Sequence, residues 1–140
     1  MKILINDIID FLQNFTGRDD IKPNTDIFKD IGVVGDDFHE IIFKFSEKYS
    51  IDMKNYLWYF HTDEEGQNIG ALFFNPPYRR VKRIPVTPEM LTEFANKSKW
   101  SIQYPKHEIP SKRYDLLINR IILGLFLIFI VITAIGKCSK

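Results

Sequence analysis

The sequence predicts an all-α protein: a small helical domain followed by a single transmembrane helix at the C-terminus. Three observations carry that expectation. Apolar residues recur at helical spacing in three separate stretches of the first hundred residues. The tail contains an uncharged, strongly apolar run, IILGLFLIFIVITAIG at 121–136. The one cysteine, Cys138, can neither staple a disulfide fold nor build a cysteine zinc site.

Composition bounds the rest. A chain of 140 residues is one domain, or one domain plus an appendage. Its 45% apolar and 26% charged content is that of a folded protein, which excludes wholesale disorder. The net charge of +1 excludes an overall basic nucleic-acid binder. That near-neutrality hides three zones. Residues 1–65 are acidic, with fourteen carboxylates against seven basic side chains. Residues 66–115 are basic, with nine basic side chains against four acids. Residues 116–140 carry Arg120, Lys137 and Lys140 and no acid. Three zones of different sign and polarity imply three different neighbours.

The first helix is expected from Leu4, Ile8, Phe11, Leu12 and Phe15, with Gly17 as its stop. A loop over 18–35 follows, broken by Pro23 and Gly32. Its Ile27, Phe28 and Ile31 are expected to tuck under the helices. The second helix, 36–49, is the best defined. Asp36 or Asp37 can cap it and suits the positive end of its dipole. Phe38, Ile41, Ile42, Phe45 and Tyr49 form its inner stripe. Asp36, Glu40 and Glu47 form the outer face, and at 100° per residue Phe43 falls among them. A Phe ringed by acids is either a partner anchor or a side chain covered by a loop or by the basic middle zone.

Residues 55–60 (NYLWYF) are dense in aromatics and read as a short helix or turn. The segment 61–86 is hard to read; within it, 69–74 (IGALFF) is a short strand or a helical turn, ended by Asn75-Pro76-Pro77. Thr87 reads as an N-cap with Pro88 at the first helical position and Glu89 in the first turn. Met90, Leu91, Phe94 and Ala95 are the expected inner face of a helix running to about Trp100. The stretch with Pro105 and Pro110 reads as a tether, which puts the domain at 1–104 and the tether at 105–115.

Residues 116–137 are expected to cross a membrane. At 1.5 Å per residue this length matches the ~30 Å hydrocarbon core. Arg120 and Lys137 stand near its ends, where long side chains can snorkel to the headgroups. A core helix needs a polar face, and this segment has none. Lys106, Lys112, Arg113 and Arg120 on the N-terminal side outweigh Lys137 and Lys140 on the other, so the helical domain is expected in the cytoplasm. Asn6, Asp7 and Asp10 break the apolar run of the N-terminus, which therefore is no signal peptide. The expected location is the inner (cytoplasmic) membrane, with a single span and a short tail, 138–140, that puts Cys138 at the far interface.

Residues 25–52, TDIFKDIGVVGDDFHEIIFKFSEKYSID, resemble the acyl carrier protein motif. The similarity lies in the Asp30-Ile31-Gly32 loop, the helix with Glu40-Ile41-Ile42, and the end at Glu47 and Tyr49. More closely, residues 1–104 resemble a bacterial acyl-carrier-like family of unknown function, domain-of-unknown-function family 1493. Gly35-Asp36-Asp37 and Pro85-Val86-Thr87 with Trp100 fit its pattern. The resemblance implies an acyl-carrier-like four-helix bundle. In carriers a phosphopantetheine arm hangs on a serine at the start of the second helix. Aligned without gaps, that position is Gly35, which has no hydroxyl, and the carrier Asp before it is Val34. The resemblance therefore implies the fold and an acidic recognition helix, and no prosthetic group. From the residues alone, Gly35 is a loop-to-helix glycine at positive φ.

Other chemistry finds little support. His39, His61 and His107 are too far apart in sequence for a metal pair. His61 with Asp63 and Glu64 could hold a surface ion weakly, but with no second histidine or cysteine nearby the stretch reads as a solvated loop. No acid–base pair can be nominated, so no catalytic residue, metal or cofactor is expected. The run Tyr78-Arg79-Arg80-Val81-Lys82-Arg83 reads as a solvated loop or a partner for the acidic first half, or else offers Arg79, Arg80, Lys82 and Arg83 to anionic lipid in preference to nucleic acid. The reading is a noncatalytic, membrane-anchored docking or regulatory module. A protein partner with a basic surface would meet Asp36, Asp37, Glu40, Phe43 and Glu47. The alternatives are a carrier with a non-standard attachment site and a lipid-surface module.

Overall fold

The structure, a computed structural model, describes residues 2–138. It is helical, and among those residues no strand occurs beyond one isolated parallel bridge between Asp52 and Lys99. Helices α1 (Ile5–Thr16), α2 (Gly35–Tyr49), α3 (Pro88–Lys97) and α4 (Tyr114–Cys138) follow in order. Three single 3-10 turns, Trp58–Phe60, Ile69–Leu72 and Pro77–Arg79, lie between α2 and α3. The chain forms two compact units. One takes in the residues up to Glu65 together with Val81–His107; the other takes in Gly66–Arg80 and the chain from Glu108 onward.

In the first unit α1, α2 and α3 bury the stripes that their spacing dictates. Ile8 and Leu12 of α1, Phe38, Ile41, Ile42 and Phe45 of α2, and Leu91, Phe94 and Ala95 of α3 meet in one core. Leu4, assigned to the stripe by spacing, is exposed instead; the chain is still extended there, and its N–H donates to the Asp7 carboxylate at 2.7 Å. Gly17 closes α1 in the left-handed conformation with φ 70°, where a Cβ would be strained. Ile27 fills the core from the following loop, held by its N–H to the Val86 carbonyl at 3.0 Å. The aromatic run at 55–60 forms the 3-10 turn Trp58–Phe60, so three α-helices make up this unit.

Thr87 caps α3 through its Oγ1, which accepts from the Met90 N–H at 3.3 Å. This helix stops at Lys97, three residues short of the expected end. Ser98 turns left-handed at φ 50°, and the chain then pairs with Asp52 through Asp52 N–H to Ser98 O and Trp100 N–H to Asp52 O, both 3.0 Å. That pairing delivers Trp100 into the core, fully buried.

The second unit consists of α4 and the loop 66–80. The first turn of α4 and the 3-10 turn Ile69–Leu72 are joined by polar side chains. Asn68 donates to Asp115 Oδ2 at 2.8 Å, Asn119 donates to Asn68 Oδ1 at 2.9 Å, and the Gly70 N–H donates to Asn119 Oδ1 at 2.7 Å. Arg113 grips both oxygens of Asp115, its Nε donating to Oδ1 at 2.9 Å and a terminal nitrogen to Oδ2 at 2.5 Å. Residues 108–115, within the stretch 105–115 read as a tether, belong to this unit, and Tyr114 and Asp115 are already helical. The physical reason is Asn68: it supplies Asp115 and Asn119 with partners that sequence spacing could not pair. From Ile121 to Ile135 the large side chains of α4 stand exposed on every side, and this helix is long and apolar enough to span a membrane. Of the expected tail 138–140, Ser139 and Lys140 lie outside the described residues, as does the Cys138 side chain.

Candidate partner-binding surface

Helix α2 positions the expected acidic face. Its inner residues lock it to the core, so the residues at 36, 40, 43 and 47 are left as a stripe on the outside. Asp36, Asp37, Glu40 and Glu47 are all exposed. Phe43 is 61% exposed, an unusual state for a large aromatic on a rigid helix. Glu40 has a cation beside it: Lys44, one turn on, approaches at 2.7 Å. Lys44 also sits over the Phe15 ring at 4.9 Å, and Lys48 over Phe11 at 5.2 Å, so both lysines lean toward α1 and flank the acidic stripe.

The start of α2 differs from the expected capping. Neither Asp36 nor Asp37 caps it; the helix begins one residue earlier, and the Gly35 N–H donates to the buried Thr62 Oγ1 at 3.0 Å. A long-range hydroxyl 27 residues away thus supplies the cap. Gly35 has φ 52°, as its loop-to-helix role requires. The space where a Cβ at this position would project is filled by the Glu65 side chain. The position that the carrier resemblance aligns with a modified serine is therefore covered by the chain itself.

The basic run is divided. Arg79 and Arg80 belong to the second unit, Lys82 and Arg83 to the first. Arg79, Arg80 and Lys82 are exposed. Arg83 is engaged internally: its two terminal nitrogens donate to the two carboxylate oxygens of the nearly buried Asp26, and its guanidinium lies 4.8 Å from the Phe28 ring centroid. Asp26 also accepts from the Phe28 and Lys29 N–H groups. A bidentate pair of this kind fixes the 23–30 loop to the segment before α3. Arg83 is thus a strut, and the exposed basic groups of the run are the other three.

Sequence reasoning missed a buried polar cluster. His61, expected in a solvated loop, is fully buried. Its Nδ1–H donates to the Ile84 carbonyl at 3.0 Å. Its Nε2 accepts from the Tyr104 hydroxyl at 2.8 Å, and that hydroxyl in turn accepts from Trp100 Nε1–H at 2.8 Å and from the Leu57 N–H at 3.2 Å. Every ring nitrogen is used, which sets the neutral tautomer. Tyr56 stacks on the imidazole with 7° between planes. Burial, the largest influence, pushes the His61 pKa down to about 4. Burial likewise raises the Tyr56 and Tyr104 hydroxyls above the usual phenol range. These bonds tie the segments at 57–61, 84 and 100–104 together. The signal that could have found the cluster is the aromatic density at 56–60 together with Trp100 and Tyr104, which implies a polar partner for the indole and phenol.

Comparison with known families places the chain. Residues 2–103 match the model of a family described as protein of unknown function (DUF1493). The chain belongs to that family, whose match covers α1, α2 and α3 and ends before α4. No curated protein and no solved structure matches it.

Proposed function

We propose that the protein is a noncatalytic, membrane-anchored docking module with an acyl-carrier-like helical domain. In this reading α4 crosses the inner (cytoplasmic) membrane with the domain in the cytoplasm. The outer stripe of α2 (Asp36, Asp37, Glu40, Phe43 and Glu47) receives a protein with a basic surface. The observation that carries the docking role is the exposure of Phe43 within the acids of a helix whose other face is locked in the core. An aromatic anchor with a charged rim is the anatomy of a binding hot spot. The acids around it would steer a cationic partner and fix its register. The carrier alternative is disfavoured by Gly35, which lacks a hydroxyl and lies beneath Glu65.

The anchoring role rests on α4. None of its most apolar stretch is buried inside the protein, so the helix gains nothing from its own chain and would gain from lipid. Basic residues on its N-terminal side support the orientation.

Two measurements test the proposal. After lysis and ultracentrifugation the full chain pellets with membranes and is released by detergent but not by salt; recovery in the supernatant without detergent overturns the anchor. Proteins crosslinked to the membrane-bound chain are then compared between wild type and the Glu40→Lys/Glu47→Lys variant at physiological salt. Loss of a basic partner on charge reversal supports the α2 surface, and an unchanged set of partners overturns it.

A further inference from the structure

The turn at 69–74 is short, apolar and outside the core. Leu72 is 80% exposed and Phe73 68% exposed, and Ile69 and Phe74 are exposed beside them. Four neighbouring large apolar side chains facing solvent are costly unless something covers them. The turn does not hang loose. Gly70 and Asn68 are bonded to Asn119 and Asp115, and a Cβ on Gly70 would run into the Asp115 backbone carbonyl. The Phe74 ring lies 5.5 Å from that of Tyr114. The turn is therefore clamped alongside the first turns of α4.

That position decides what covers it. The uncharged run of α4 begins at Ile121, directly after Arg120. Asn119, which holds Gly70, is two residues earlier, about 3 Å along the helix axis. If Arg120 marks the headgroup level, the clamped turn lies at the membrane–water interface, where an apolar face sinks ~5–10 Å into the headgroup and acyl boundary. Arg79, Arg80, Lys112 and Arg120 are exposed cations of the same unit, and Arg80 and Lys112 line one hollow with Phe74 and Tyr114, as expected for contact with anionic headgroups.

We infer that the Ile69–Leu72 turn with Phe73 and Phe74 is a second membrane contact, an interfacial wedge that inserts Leu72 and Phe73 into the lipid beside α4. The inference rests on the proposal that α4 spans a bilayer. One α-helix alone leaves a protein free to rotate about its axis and to tilt. A wedge fixed to one side of that helix removes both freedoms and sets which face of the second unit meets the headgroups.

The test uses the full chain in phosphatidylcholine–phosphatidylglycerol vesicles. Single cysteines are placed at Phe73→Cys, at Ile128→Cys and at Phe43→Cys in a Cys138→Ser background, and each is labelled with an environment-sensitive fluorophore. The label at 73 is expected to show blue-shifted emission, loss of quenching by aqueous iodide, and quenching by a nitroxide near the lipid headgroup. The label at 128 is expected to respond to a nitroxide deep in the acyl chain, and the label at 43 to iodide alone. If 128 is deep but 73 stays open to iodide, the wedge is overturned and the anchor stands. If 73 is shielded from iodide but not quenched from lipid, protein covers it and the wedge is again overturned. If 128 itself is open to iodide, the spanning reading fails and the wedge fails with it. Adding Gly70→Ala, which forces the turn off Asp115, should restore iodide quenching at 73.

Discussion

The Glu65 side chain lies over the α-carbon of Gly35, in the space that any other residue's Cβ would enter. Gly35 is further held at φ 52°. Left-handed backbone costs a non-glycine residue roughly 1–2 kcal/mol. Gly35→Ser should therefore lower stability by about that much or more, with Glu65 displaced. Both tryptophans, Trp58 and Trp100, belong to the first unit, so tryptophan fluorescence during denaturation of the detergent-solubilised chain reads its unfolding. Wild-type protein coexpressed with a pantetheinyl transferase should keep its unmodified intact mass.

The His61 imidazole makes the first unit sensitive to acid. Its folded pKa of about 4 lies below the 6.5 of the unfolded chain. Between these values the unfolded state binds a proton and the folded state does not, so stability is full above pH 6.5 and falls as pH drops toward 4. The loss is on the order of 3 kcal/mol if His61 acts alone. A series of denaturant titrations across that window should show the slope, and His61→Phe should abolish it. The same variant should be less stable at pH 7 by about 1–3 kcal/mol, because the Ile84 carbonyl and the Tyr104 hydroxyl lose their partner.

Within the basic run, one arginine should behave unlike the others. Arg83→Ala leaves Asp26 nearly buried without its cation, a change that costs about 3 kcal/mol in comparable settings. Arg79→Ala removes an exposed side chain and should stay within ~0.5 kcal/mol of wild type. Parallel melts of the two variants separate the strut from the surface cation.

Phe43 and Phe45 are two residues apart and should have opposite roles. Phe45 is fully buried, and Phe45→Ala should cost about 3–5 kcal/mol. Phe43→Ala should leave the unfolding midpoint within ~0.5 kcal/mol of wild type while weakening crosslinking to the partner. Equal destabilisation by the two substitutions would remove Phe43 from the candidate surface.

The helical stripes were legible because burial of a helix against a core imposes a local period, visible in Ile8 and Leu12, in Phe38, Ile41 and Phe45, and in Leu91 and Phe94. The acidic face of α2 followed from the same period. Thr87 and Pro88 announced α3 through capping chemistry that depends on neighbours in the chain. The long-range polar contacts gave no such signal. Thr62 capping Gly35, Arg83 bracing Asp26, and His61 bonding Ile84 and Tyr104 each join residues more than twenty positions apart.

The amino-acid sequence by itself determined that the chain is helical, that α2 carries acids outward, and that its last helix is apolar all round, because each of these depends on side chains within a few turns of one another. Only the tertiary structure decided that Glu65 covers Gly35, that His61 is inside, that Arg83 is a strut, and that the 69–74 turn is clamped to the foot of α4. Those outcomes depend on which distant polar groups can satisfy one another once water is excluded, and that pairing is settled by the packing of the whole unit.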